Sequence, residues 1–321
     1  MCPVESPWTG FSTRRRDGAL SSGQGRQQSC CSLKVHRPPQ PRVYFYVGPI
    51  EEQTILITGA TSGLGQALAQ ALSKHGATLL LHGRDPERGL ETVRKIKEAT
   101  GNERIKFCRA DLSSLREVED LARQVISEVT RLDLLVNNAG IGFGRDNSKR
   151  EISQDGYELR FAVNYLAPYL LTERLISLLR ASAPARIVNV ASVGQAPLDF
   201  DNIMLGLGYS GVTAYRQSKL AIIAWTFDLA ERLTGTGVTV NALHPASLMP
   251  TKMVLEAGWQ RMSSVEEGLR ATLRLVIDPA LENVTGVYFD GLRPARANAQ
   301  AYDRTVRQRL AALSRELVSL K

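Results

Sequence analysis

The chain has 321 residues, 43% of them hydrophobic and 22% charged, with both signs interspersed. This suits one large α/β domain with appendages, long enough to bury its own core without a metal or disulfide staple. The net charge of +8 is unevenly placed, since residues 1–50 hold seven Lys/Arg against two acids. The remainder is only mildly basic and has no basic stripe interleaved with aromatics, which excludes a nucleic-acid partner.

Residues 1–50 are rich in Arg, Ser, Gly and Pro, lack lasting periodicity, and read as a disordered basic tail. An organelle-targeting segment and an over-extended start remain open, because the Arg/Ser bias fits a transit peptide while no amphipathic stretch accompanies it. Three of the four cysteines (Cys2, Cys30 and Cys31) fall in this tail, and with Cys108 they show no metal-ligand spacing. No apolar run reaches the ~18 residues needed to cross a bilayer. The expectation is a reduced, cytoplasmic protein without a metal.

From residue 53 on, apolar strand-like runs stand at 53–58, 77–82, 104–108, 132–136, 185–191, 237–243 and 286–289. Helical patterns fill the gaps at 64–74, 86–99, 114–129, 156–180, 214–233 and 264–277. Such alternation makes a parallel sheet covered on both faces. It predicts a single doubly wound α/β domain over 51–300 with a seven-stranded parallel sheet.

The first strand, Thr54-Ile55-Leu56-Ile57, runs into "TGATSGLG" and then a helix. A glycine-rich turn leading to a helix N-terminus suits a phosphate, because backbone N–H groups point outward and the helix dipole favours negative charge. Gly59, Gly63 and Gly65 permit a tight turn, a close pyrophosphate and close helix packing. The missing Gly-Lys-Ser/Thr ending argues against a nucleotidase P-loop. An acidic side chain at the end of the second strand would grip a ribose 2′-hydroxyl, as NAD requires. Gly83 stands there instead, followed by Arg84, whose guanidinium can pair with a 2′-phosphate. NADP is therefore favoured, with NAD open. Asp111-Leu112, after the third strand, is placed to hold an adenine ring.

Further along, "LDLLVNNAG" (132–140) ends in Asn137-Asn138-Ala139-Gly140, whose small residues and amides let a flat ligand press on the backbone. "VNVAS" ends a strand at Ser192, and "AYRQSKLA" places Tyr215 and Lys219 four residues apart on one helix face. A tyrosine of ordinary pKa near 10 is a poor base at neutral pH, and a neighbouring ammonium favours its phenolate. Ser192 can donate a hydrogen bond to a substrate oxygen.

These motifs, in this order and each at a strand end, resemble the short-chain dehydrogenase/reductase family across about residues 52–290, a Rossmann fold. "GRD", "FAVNYLAPYLLTERL" and "GYSGVTAYRQSKLA" look most like the branch with retinol dehydrogenases, WW-domain oxidoreductases and protochlorophyllide reductases. The resemblance implies an oxidoreductase interconverting a carbonyl and an alcohol, with Tyr215 as acid or base beside Ser192 and Lys219. It also implies Asn164 as the fourth member of a proton relay. Cofactor contacts would come from Gly59, Thr61, Ser62, Gly63, Leu64, Gly65, Arg84, Asp111 and Leu112, then from Asn138, Ala139, Gly140, Tyr215, Lys219, Pro245 and Ala246. Where the family usually has Pro-Gly after the sixth strand, this chain has Pro245-Ala246, and Thr251 comes one residue late. Met249 and Met253 fit either a flexible lid over a lipophilic small-molecule substrate or plain packing of this loop. A cofactor-sensing protein, a nucleotide-sugar epimerase and a light-driven double-bond reductase are the rival readings.

The last segment, 301–321, places Val306, Leu310, Leu313, Leu317 and Leu320 on one stripe of an amphipathic helix. The stripe is expected to dock on its own domain beside the substrate cleft. A subunit contact in a homo-oligomer and a membrane-surface anchor are its alternatives.

Overall fold

The computed structural model describes residues 48–256, 258 and 260–319. The basic tail through residue 47, with Cys2, Cys30 and Cys31, and the final stripe residue Leu320 lie outside the described residues. The sheet is built from β1 (Thr54–Ile57), β2 (Thr78–Gly83), β3 (Ile105–Arg109), β4 (Leu134–Asn137), β5 (Ala185–Val190), β6 (Val238–His244), β7 (Tyr288–Asp290) and β8 (Arg293–Pro294), in the order β3-β2-β1-β4-β5-β6-β7-β8. The first seven pair in parallel, and the switch point lies between β1 and β4.

Side chains alternate across this sheet because successive residues of a strand point to opposite faces. Leu80, Leu56, Leu135, Ile187 and Val240 are in register on five strands and belong to one buried cluster. Ile55, Ile57, Leu79, Leu81, Val136 and Val188 face the other way into a second cluster. Each fully buried aliphatic side chain contributes about 1.5–3 kcal/mol. The first layer is covered by α3 (Leu115–Glu128), α5 (Ala167–Ala181) and α6 (Gly211–Arg232), the second by α1 (Gly63–Lys74) and α8 (Val265–Ile277). α2 (Pro86–Thr100) closes on β3 through Gly89, where a Cβ would meet the Phe107 ring at 2.1 Å.

Among the described residues the sheet has eight strands rather than seven. β8 folds back antiparallel on β7 through Gly291, at φ +55°, and its two residues are too short a run to show in the sequence pattern. The helix expected over 156–180 is broken into α4 (Leu159–Phe161), a π turn (Ala162–Leu166) and α5, with Pro168 in the first turn of α5. The apolar period runs on through this break, so the extra residue in the turn leaves no mark on it. α6 starts three residues earlier than expected. Ser210 caps it, and Asn147 Oδ1 accepts from the Val212 N–H at 2.8 Å, a partner 65 residues away.

After a short α7 (Lys252–Glu256), the last helix is α9 (Arg304–Leu317). Val306, Leu310, Leu313 and Leu317 pack against the first core cluster. Arg307 pairs with Glu231 near the end of α6 at 2.7 Å, and Tyr165 of the π turn shares a buried 2.6 Å hydrogen bond with Ser314. The described part of the stripe therefore docks within the chain.

Candidate active site

Every strand from β1 to β6 delivers its C-terminal residues to one edge of the sheet. The glycine turn follows β1, Arg84 follows β2 and Asp111 follows β3. On the other side of the switch point stand Asn138 to Gly140 after β4, Ser192 after β5 and Pro245 after β6. This edge is where open α/β sheets bind ligands.

The roles of the three glycines divide. A Cβ on Gly59 would lie 2.8 Å from Ala139 Cα, and one on Gly65 would lie 2.3 Å from the Gly59 carbonyl oxygen. What presses on these two residues is the protein's own backbone. Thr58 Oγ1 accepts from the Asn138 and Ala139 N–H groups at 3.0 Å each, and Asn138 Nδ2 donates back to the Thr58 carbonyl at 2.8 Å. Gly63 has φ +55° and faces outward, with only the Thr251 methyl within 3.1 Å of its missing Cβ. Ser62 has the extended N-cap conformation but makes no capping bond, so no side-chain cap occupies the first-turn N–H groups of α1. The buried Leu64 continues into the core.

His82, a residue the motifs do not single out, holds this turn from below. Its Nδ1 accepts from the Gly59 N–H at 3.2 Å, so the ring proton sits on Nε2, which donates to the Ala110 carbonyl at 3.1 Å. Burial lowers its pKa to about 4, and the ring is neutral at physiological pH. One imidazole thus ties together the ends of β1, β2 and β3. Its signal in the sequence is a lone polar residue inside the apolar strand "TLLLHG".

At the end of β2 the Thr61 methyl covers Gly83, where a Cβ would come within 2.5 Å of it. Arg84 is exposed, and no hydrogen bond or ion pair joins it to another described residue. Asp85 is engaged elsewhere: it caps α2 by accepting from the Arg88 N–H at 3.1 Å. Asp111 Oδ1 accepts from the Ser113 N–H at 2.9 Å, while Leu112 is buried in the core and offers the edge only its main chain.

On the other side, Ser192, Tyr215 and Lys219 come together, all buried. Lys219 Nζ donates to the Val190 carbonyl at 3.0 Å and lies 5.6 Å from the centroid of the Tyr215 ring. Burial lowers the Lys219 pKa to about 8. Burial raises that of Tyr215, and the nearby Ser192 hydroxyl draws it back in part. The phenol is therefore held neutral here, opposite to the depression expected from its ammonium neighbour. The Phe143 ring packs edge-on against Tyr215, with centroids 4.7 Å apart.

Asn164 sits in the π turn and spans a gap. Its Oδ1 accepts from the Ile141 N–H at 2.8 Å, while Nδ2 donates to the Ile141 carbonyl at 3.1 Å and to Ser218 Oγ at 3.0 Å. A Cβ on Gly140 would stand 3.3 Å from Asn164 Oδ1 and 3.5 Å from Lys219 Nζ, so the missing side chain leaves that space open. Pro245 follows His244, whose Nε2 lies 3.0 Å from Ser247 Oγ, and Ala246 is half-buried. The loop beyond crosses the edge: Met249 abuts Gly268 and packs on the second core cluster, Thr251 reaches Gly63, and Met253 covers Gly142. Met249 is thus an anchor of this loop, and Met253 the part of it that lies near the end of β4.

The uncapped start of α1, the outward-facing Gly63 and the side-chain-free space at Gly140 fit an extended dinucleotide laid across the switch point. Among the described residues no cluster of His, Cys, Asp or Glu could hold a metal, and no helix is long and apolar enough to cross a membrane.

Comparison with known proteins agrees with this geometry. The family model for short chain dehydrogenase matches residues 53–261. Retinol dehydrogenase 13 of Mus musculus is 37% identical over 289 residues, covering 84% of this chain and 85% of that protein. Retinol dehydrogenase 14 of Homo sapiens is 35% identical over 300 residues, covering 85% and 88%. Among solved structures, Pseudomonas aeruginosa RhlG in an NADP active-site complex has a TM-score of 0.62 at 27% identity, over 76% of this chain and 97% of that one. The 3-ketoacyl-(acyl-carrier-protein) reductase of Brucella melitensis, complexed with NADH, has a TM-score of 0.61 at 25% identity, over 75% and 97%.

Proposed function

Since the chain belongs to the short-chain dehydrogenase family and is an NAD(P)-dependent oxidoreductase acting on CH–OH groups, we propose that it is an NADP-dependent carbonyl reductase with Tyr215 as proton donor. The observation that carries this reading is the burial of the Tyr215 phenol beside Ser192, with Lys219 Nζ 5.6 Å from its ring centroid, a setting that favours the protonated form. A base would need its pKa lowered, whereas an acid needs its proton in place.

Ser192 Oγ and the edge of the Tyr215 ring both border the missing side chain of Gly194, at 3.4 and 3.8 Å from where its Cβ would stand, and are placed to share one carbonyl oxygen. When bound, the nicotinamide supplies the hydride that reduces the carbonyl carbon. Tyr215 gives its proton to the oxygen and is left a phenolate. Lys219, cationic below about pH 8, stabilises that phenolate. Asn164 keeps the loop after β4 at a fixed distance from α6. Thr61, Ser62, Gly63 and the first turn of α1 would hold the pyrophosphate, Asp111 the adenine and Lys219 the ribose. Arg84, exposed and without a partner among the described residues, would take the 2′-phosphate through paired guanidinium donors.

The relatives' names make retinaldehyde the first carbonyl to test. Exposed apolar residues, Val193 next to Ser192, Leu207, Leu255 of α7 and Met262, support a lipophilic substrate. The experiment is a panel of aldehydes and ketones that includes retinaldehyde, followed by NADPH absorbance with NADH in parallel. Turnover should be faster with NADPH, and kcat/KM for reduction should fall as pH rises through about 8, where Lys219 loses its charge. Equal use of NADH, or a reduction rate that climbs with pH, would overturn the reading.

A further inference from the structure

The residue after Gly194 has two partners that lie far apart in the chain. Gln195 Nε2 donates to the carbonyl of Ser192 at 3.0 Å, and its Oε1 accepts from the main-chain N–H of Asn298 at 2.7 Å. A single amide therefore joins the backbone of Ser192 to a segment 103 residues beyond Gln195. That segment lies beyond residue 261, where the family match ends. It holds the same loop at two more places. Gln300 Oε1 accepts from the Leu198 N–H at 2.6 Å, and Arg309 of α9 pairs with Asp201 at 2.9 Å while lying over the Phe200 ring. Ser192 Oγ is fixed from its own side by the Gly194 N–H at 3.0 Å.

We propose that Gln195 is a positioning residue for Ser192, through which the C-terminal segment sets the place of that hydroxyl. The inference rests on the reading of Ser192 as a donor to the substrate carbonyl. Among the described residues the loop after β5 has no strand partner; α6 holds it at Ala196 and Asp199, and the Gln195 amide adds a strut anchored on a remote main chain next to Ser192 itself. A hydroxyl displaced by a fraction of an ångström keeps its chemistry but loses alignment with the reacting oxygen.

Asn298 has φ −54°, a value proline adopts, so Asn298→Pro deletes the N–H without demanding a new backbone angle there. Asn298→Ala keeps the N–H, loses only the cap of the side chain on Gln300, and is the baseline for the proline variant. Gln195→Met keeps the length of the side chain and removes both bonds. The readouts are kcat and KM for the panel carbonyl with the highest NADPH turnover, NADPH Kd by fluorescence, and hydrogen exchange at the Gly194 amide. Gln195→Met and Asn298→Pro should each lower kcat about tenfold at unchanged NADPH Kd and speed Gly194 exchange. The double variant should be no worse than Gln195→Met, because one strut is removed in both. A proline variant equal to Asn298→Ala, or additive losses in the double, overturns the proposal. Should Asn298→Pro not fold, Gln195→Met decides alone: a kcat within about twofold of wild type, or unchanged Gly194 exchange, overturns it. Ser192→Ala run alongside separates the two readings. If it retains full turnover, the role given to Ser192 fails first, whereas the exchange measurement still reports on the strut.

Discussion

At the ends of β1, β2 and β4 the chain is held by side chains from neighbouring strand ends: Thr58 on Asn138 and Ala139, Asn138 on Thr58, and His82 on Gly59. After β5 and β6 the chain leaves the sheet in long loops, and a late segment holds the first of these through Asn298, Gln300 and Arg309. The first arrangement follows from the strand order itself. The second is added from outside it. A dinucleotide needs the same geometry whatever the substrate, so it suits the rigid end, and the tethered end can change shape without disturbing it.

The largest effect should come from removing the proposed proton donor. Tyr215→Phe should lower turnover by about a thousandfold while NADPH binding stays within twofold, since only a hydroxyl is lost. Near-normal turnover would show that the proton comes from elsewhere. The tethered end can be loosened by Leu310→Ala in α9, which opens a cavity at a fully buried position. It should cost about 2–5 kcal/mol of stability at unchanged solution mass. Dissociation into smaller species would instead make this helix a subunit contact.

The rigid end should break with acid. His82 has a folded pKa of about 4, below its unfolded value of 6.5. The stability that comes from keeping it neutral is complete above about pH 6.5 and is lost as pH falls towards 4. Over that window the loss is about 3 kcal/mol. His82→Asn should flatten this part of the stability profile, and an unchanged slope in urea melts would assign the acid sensitivity to other groups. The smallest effect is one of preference. Arg84→Asp should shift the NADPH/NADH ratio of kcat/KM by at least about tenfold. Its melting temperature should hold, because Arg84 has no hydrogen-bond or ion-pair partner among the described residues.

How much was legible follows the same division. The glycine turn, Asn138 to Gly140, Ser192 and the Tyr215–Lys219 pair are short local patterns whose spacing carries their chemistry. Asn164 was visible only through resemblance, because its role depends on a π turn that the apolar period does not register. His82 escaped notice because its partners are 23 and 28 residues away, and Gln195 because one of its partners is 103 away. Polar residues of this kind look ordinary until the fold supplies their partners. The glycines show the converse. Their pattern was plain, yet the close approach is by Ala139 at Gly59, and by the Gly59 carbonyl and the Asn138 amide at Gly65, all of the same chain.

The contact at position 298 is made by a main-chain N–H. Nineteen of the twenty amino acids have that group, and proline alone lacks it. Natural variation at 298 can therefore alter the cap on the next turn while leaving the strut to Gln195 untouched. Selection on the strut would show itself there as the avoidance of one residue type, and at 195 as the retention of an amide.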